Sequence, residues 1–64
     1  MQQAQHPIFR EYGERLGELA RLTGWAEATL MLYRDGKRIP SEFFRLKAAK
    51  VLGRSEAELF NEKA

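Results

Sequence analysis

Apolar positions along the chain recur at intervals of three, four and seven residues, and no stretch alternates apolar with polar as a half-buried strand would. β-branched residues are few: Ile8, Thr23, Thr29, Ile39 and Val51. The pattern therefore predicts helices and no sheet. Pro7 suits the first turn of a short helix containing Ile8, Phe9 and Tyr12, with Gly13 as its stop. A second helix is expected from about Glu14 to Thr23, with Leu16, Leu19, Ala20 and Thr23 on one face and Gly24 at its end. A third, from about Ala26 to Arg34, turns Leu30 and Tyr33 to one side, and Asp35-Gly36 breaks it. Gly36 to Pro40 reads as a loop. Ser41 caps a fourth helix that Gly53 closes; its expected core stripe is Phe43, Leu46, Ala49 and Leu52, with Phe44, Ala48 and Val51 alongside. Ser55 and Glu58 stand at capping-box spacing ahead of a last short helix carrying Leu59 and Phe60. Residues 1–5 are expected to fray.

The connection between the second and third helices is the most informative local feature. Gly24 and Trp25 are almost all of it, and so short a link favours a steep crossing over antiparallel packing. Such a crossing needs a small residue where the helices approach, and Ala20 stands there. It needs a residue tolerant of left-handed backbone at the corner, and Gly24 stands there. Trp25 then seals the corner as an apolar plug. The third helix, held this way, keeps one face inward and leaves the other outward.

At 64 residues the chain is expected to form one small domain over 1–64, with no room for the paired lobes that enclose an enzyme's substrate. Without cysteine it has no disulfide, thiolate chemistry or Cys-ligated zinc. No apolar run approaches the roughly 20 residues needed to cross a bilayer, and no basic-then-apolar leader opens the chain, so a cytoplasmic location is expected. His6, beside Pro7 near an end expected to fray, is read as neither ligand nor base. Glu14 and Glu18 lie at helical spacing from Arg10, Arg15 and Arg21 and read as surface ion-pair partners rather than a carboxylate dyad. No nucleophile–base constellation and no phosphate-cradling glycine loop is present, so no catalysis, metal or cofactor is expected.

Charge changes the picture more than composition does. The net charge is +2, yet residues 34–54 hold seven basic residues (Arg34, Lys37, Arg38, Arg45, Lys47, Lys50 and Arg54) against Asp35 and Glu42. The flanking segments are both slightly acidic. Such clustering points to a polyanion partner, nucleic acid first, or to a solvated cationic face.

Leu19-Ala20, Gly24-Trp25, Leu30, Tyr33, Gly36-Lys37-Arg38, Pro40-Ser41, Leu46, Ala48-Ala49-Lys50, Leu52-Gly53 and Leu59-Phe60 together resemble the lambda-repressor-like helix-turn-helix family of the Cro/XRE type, over about residues 13–61. The resemblance implies an all-α, compact five-helix lambda-repressor-like DNA-binding domain, with the helix-turn-helix at about 16–35. It implies sequence-specific binding of a double-stranded DNA operator, as a homodimer, by a small phage Cro-like repressor acting through steric exclusion of polymerase. No membrane partner and no small-molecule effector is expected.

In that family the third helix lies in the major groove and its outward positions read bases. The matching positions here are Glu27, Ala28, Met31, Leu32 and Asp35, with Thr29 on the flank. Lys37 and Arg38 match the phosphate-clamping segment, and Arg34, Arg45 and Lys47 extend it; Lys50 and Arg54 read as solvated. Four to six phosphate contacts would give a log–log salt slope of about −4 to −5. The chain departs from the family at Leu16, where a Gln often fixes a phosphate, and at Glu27 and Leu32, where basic or amide side chains are common. Ala28, Met31 and Leu32 suit thymine methyls and Glu27 a cytosine amino group. The same surface suits a protein partner, as in an antitoxin-like or host-factor-binding module. An Arg45–Glu42 pair is expected on the fourth helix. Gly17 has no evident local role beyond close approach of another backbone or of DNA. Since Phe43 and Phe44 cannot both face inward, one of them, with part of the fifth helix, is the expected dimer seam.

Overall fold

The computed structural model describes residues 6–60, so the fraying expected for residues 1–5 lies outside the described residues. The described chain is all-helical, in five helices: α1 (Pro7–Tyr12), α2 (Leu16–Thr23), α3 (Glu27–Arg34), α4 (Glu42–Leu52) and α5 (Glu56–Phe60). No strand occurs among the described residues. α3 packs on α2, α4 on α2 and α5, and α1 on α5 and α2. The body measures 29 × 24 × 18 Å.

Local chemistry sets most helix ends where the pattern places them. Ser41 accepts from the Phe44 amide at 3.1 Å. Ser55 and Glu58 form the capping box, each amide donating to the other's side chain at 3.1–3.2 Å. α2 starts at Leu16 rather than Glu14, with Arg15 at its N-cap and no side chain capping it. Neither Glu14 nor Arg15 can supply the short oxygen that a cap uses. Gly13 ends α1 in ordinary right-handed backbone. It is glycine for space: a Cβ there would lie 2.7 Å from the Phe9 carbonyl oxygen.

The core is Ile8, Phe9, Tyr12, Leu16, Leu19, Leu30, Tyr33, Phe44, Ala48, Leu59 and Phe60. Phe44 is its centre. The ring lies between 5.1 and 6.2 Å from those of Tyr33, Trp25, Phe60 and Phe9. Close aromatic packing of this kind contributes about 0.5–1.5 kcal/mol per pair beyond area burial.

Two expectations are corrected here. The inward stripe of α4 is Phe44 and Ala48, with Ala49 and Leu52 partly buried, whereas Phe43 is 77% and Leu46 50% exposed. Two apolar stripes compete on this helix, each with its own alanine, and the observed phase sets Phe44 among the rings of Phe9, Trp25, Tyr33 and Phe60. His6, just inside the segment expected to fray, is buried, its ring edge-on to Phe9 and Phe60 at 6.2 and 5.6 Å. Arg45 pairs with Glu56 at 3.7 Å rather than with Glu42, because α5 lies against that side of α4. The expected surface pairing around Glu18 forms with Arg15 at 3.3 Å. Arg15 also sits 4.6 Å over the Tyr12 ring. Glu14, Arg10 and Arg21 make no ion pair among the described residues.

Candidate nucleic-acid interface

The corner between α2 and α3 is Gly24, Trp25 and Ala26. Gly24 has φ 81° and ψ 10°, left-handed backbone that costs a side-chain-bearing residue roughly 1–2 kcal/mol, and its amide donates to Ala20 at 2.8 Å. Thr23 tightens the corner from inside. Its hydroxyl donates to the Leu19 carbonyl at 2.8 Å and accepts from the Trp25 amide at 3.3 Å. Trp25 is half-buried, edge-on to Phe44 at 5.4 Å, which is the plug role its position predicts.

α3 is anchored by Leu30 and Tyr33, both buried. Its other side is open. Glu27, Ala28, Met31, Leu32 and Asp35 are all exposed, with Met31 at 43% and Leu32 at 37%; Thr29 is half-buried on the flank. The loop after α3 folds back onto its end, because the amides of Lys37 and Arg38 both donate to the Leu32 carbonyl, at 2.9 and 3.3 Å. The backbone of these two exposed cations is thereby held at the C-terminal end of α3.

The remaining cations divide into engaged and open. Arg34 is half-buried; its Nε donates to Asp35 Oδ1 at 2.9 Å and its Nη1 to the Gly13 carbonyl at 3.1 Å. That hydrogen bond holds the Asp35 carboxyl below the usual carboxylate range, and the positive charges of Arg34 and Lys37 act in the same direction. Arg45 is half-buried beside Glu56. Arg54 is not simply solvated. It donates to Glu11 at 2.8 Å and lies 3.9 Å from Glu58, and the Glu11 hydrogen bond raises its pKa further. Lys37, Arg38, Lys47 and Lys50 are exposed and make no ion pair among the described residues. The structure thus brings Lys37 and Arg38 to the end of α3, places Lys47 on the outside of α4, holds Arg34 by two hydrogen bonds, and sets Arg45 3.7 Å from Glu56 with its side chain partly exposed.

An open groove of about 300 Å³ lies between the α1–α2 corner and α3, lined by Gly13, Glu14, Leu16, Glu27, Met31 and Arg34. Beside it, Gly17 faces Glu27: a Cβ at Gly17 would lie 3.6 Å from Glu27 Oε1, and its three nearest neighbours are all atoms of the Glu27 carboxylate. Close approach of another backbone is therefore not what Gly17 serves within this chain. Sequence reasoning missed the Arg34–Gly13 bond, since its partners are 21 residues apart and nothing in the local pattern links them. No group of three or more His, Asp or Glu that could hold a metal ion occurs among the described residues. No helix among them is long and apolar enough to cross a membrane.

Comparison with protein-family models, with curated proteins and with solved structures finds no match to this chain.

Proposed function

We propose that this protein is a sequence-specific double-stranded DNA-binding regulator of the lambda-repressor-like, Cro/XRE type, with α2 and α3 as its helix-turn-helix. The observation that carries the reading is the open face of α3, held by its Leu30–Tyr33 side and flanked at its C-terminal end by the Lys37–Arg38 loop. A helix presented this way fits the major groove. Glu27, Ala28, Met31, Leu32 and Asp35, with Thr29 at the edge, then meet base edges: the apolar three at thymine methyls, Glu27 at a cytosine amino group. Lys37, Arg38 and Lys47 take phosphates, which fix register without reading sequence. With Arg34 held by two hydrogen bonds and Arg45 able to extend the contact, three to four phosphates give a log–log salt slope of about −3 to −4 per domain. The chain acts as a homodimer on a two-fold operator, in the cytoplasm, and represses by excluding polymerase.

A second reading has its own support. Met31 and Leu32 give the outward face of α3 an apolar centre, which equally suits a protein partner. Selection from a random duplex library separates the two. The DNA reading expects an enriched, palindromic sequence whose preference shifts in Glu27→Ala and Met31→Ala. A library with no enrichment overturns it. Loss of a protein complex in the same two variants, with every DNA interaction unchanged, establishes the second reading instead.

A further inference from the structure

The outer face of α4 carries the largest apolar exposure among the described residues: Phe43 at 77% and Leu46 at 50%, with Ile39 at 82% just ahead of the helix. At about 100° per residue, Glu42, Phe43, Leu46 and Lys50 fall within one narrow stripe, opposite buried Phe44 and Ala48, and Lys47 lies at its edge. The charges on this stripe are ordered. Glu42 stands at the N-terminal end of the 11-residue helix and Lys50 near the C-terminal end. Neither makes an ion pair among the described residues, whereas Arg45, to the side of the stripe, and Arg54, beyond the end of the helix, do.

We propose that this stripe is a self-complementary seam, and that its occupant is α4 of a second copy of this chain, packed antiparallel about a two-fold axis at Leu46. Such an axis sends residue 42 of one copy opposite residue 50 of the other, so Glu42 meets Lys50 twice, once at each end. Leu46 meets its own counterpart on the axis. Phe43 lies at the edge of the stripe, along the flank of the partner helix, and Ile39 lies towards the Gly53 end of that helix. The antiparallel helices also oppose their dipoles favourably. This is the isologous pattern in which residue i contacts j and j contacts i.

Charge decides against the other occupants. A nucleic acid on this stripe sets phosphates against Glu42, and an acidic partner helix does the same with carboxylates. A basic partner is repelled by Lys50 and Lys47. Only an occupant with the opposite order of charge satisfies both ends, and the same helix reversed has that order. One helix and a short loop make a smaller contact than the roughly 800 Å² per partner of a standard interface, so the association is weak and concentration-dependent. For its purpose the inference rests on the DNA reading above, because a two-fold pair is what a palindromic operator requires.

Sedimentation equilibrium of the full chain over a range of concentrations tests it. The wild type is expected to show a reversible monomer–dimer equilibrium. Leu46→Glu places two carboxylates on the axis and is expected to weaken it at least about tenfold. Glu42→Lys and Lys50→Glu each weaken it at least about threefold, and the double swap, which restores the opposite order, returns it to within about twofold of wild type. Circular dichroism checks that every variant is folded. Because the chain has no cysteine, Leu46→Cys offers a second measurement: mild oxidation links it to its own counterpart, while Arg21→Cys on the exposed side of α2 stays monomeric. A wild type that remains monomeric at about millimolar concentration, a double swap that fails to restore association, or equal cross-linking at both cysteines overturns the seam. Binding to a single half-site duplex, measured in parallel, keeps the two proposals apart. Half-site binding without dimerisation sinks the seam alone, and dimerisation without DNA binding sinks the DNA reading alone.

Discussion

The Nη1 group of Arg34 donates to the carbonyl oxygen of Gly13 at 3.1 Å, tying the last turn of α3 to the corner between α1 and α2. The same guanidinium holds Asp35 through Nε. The end of α3 is therefore fixed from two sides, and the loop bearing Lys37 and Arg38 starts from that fixed point. Arg34→Ala is expected to cost about 1 kcal/mol in urea unfolding, a charged hydrogen bond discounted for its partial exposure. Arg34→Lys should recover little, because an ammonium cannot fork to both partners. In duplex binding, Arg34→Ala should lower affinity while leaving the salt slope unchanged. A slope that flattens by about one would show instead that Arg34 itself meets a phosphate.

Asp35 makes the same contact visible in pH. Its carboxyl is lowered from 3.8, first by the Arg34 hydrogen bond. A carboxylate depressed in the folded state contributes stability that is fully present above its unfolded value and is lost as pH falls through the folded one. Asp35→Asn should therefore lose part of the acid-side decline in stability between about pH 5 and pH 2. Urea midpoints for both proteins across that range, converging as pH falls, are the expected result; parallel curves would refute it.

Phe43 and Phe44 are neighbours with opposite fates. Phe44 is fully buried among four other rings, and Phe44→Ala is expected to cost about 3–5 kcal/mol, enough to unfold much of so small a domain. Phe43→Ala should change monomer stability by no more than about 0.5 kcal/mol. Thermal melts at low protein concentration separate the pair.

Gly17→Ala should stabilise the chain. The site is exposed within α2, its backbone is ordinary helix, and the added methyl meets Glu27 at normal contact distance. The gain expected from removing a helical glycine is about 0.5–1 kcal/mol, or a few degrees in Tm. An unchanged or lower Tm would mean that Glu27 cannot accommodate the methyl.

Lys37→Ala combined with Arg38→Ala should weaken binding to all duplex sequences about equally and reduce the salt slope by about two. A change in sequence preference, or no change in affinity, would remove these residues from the phosphate contact.

Much of the fold was legible because its signals are local. Gly24 has to accept a left-handed corner, Ser41 and the Ser55–Glu58 pair supply caps, and Leu30 with Tyr33 fixes which side of α3 turns inward. Each effect operates within a few residues, so neighbours in sequence suffice to specify it. The outward positions of α3 follow from the same periodicity, since an anchored stripe leaves its complement exposed.

The remaining choices are made between elements. Periodicity shows that α4 has two apolar stripes but cannot choose between them; the choice follows from the rings of Phe9, Trp25, Tyr33 and Phe60, brought together from other parts of the chain, which enclose Phe44. Arg45 meets Glu56 instead of Glu42 for the same reason, and Arg34 finds a carbonyl 21 residues away. Local patterning is enough to set where the helices run and which face of α3 is free. The packing of helices against one another determined which cations remain available and which aromatic ring is left outside, because long-range contacts select among faces that local patterning leaves nearly equal.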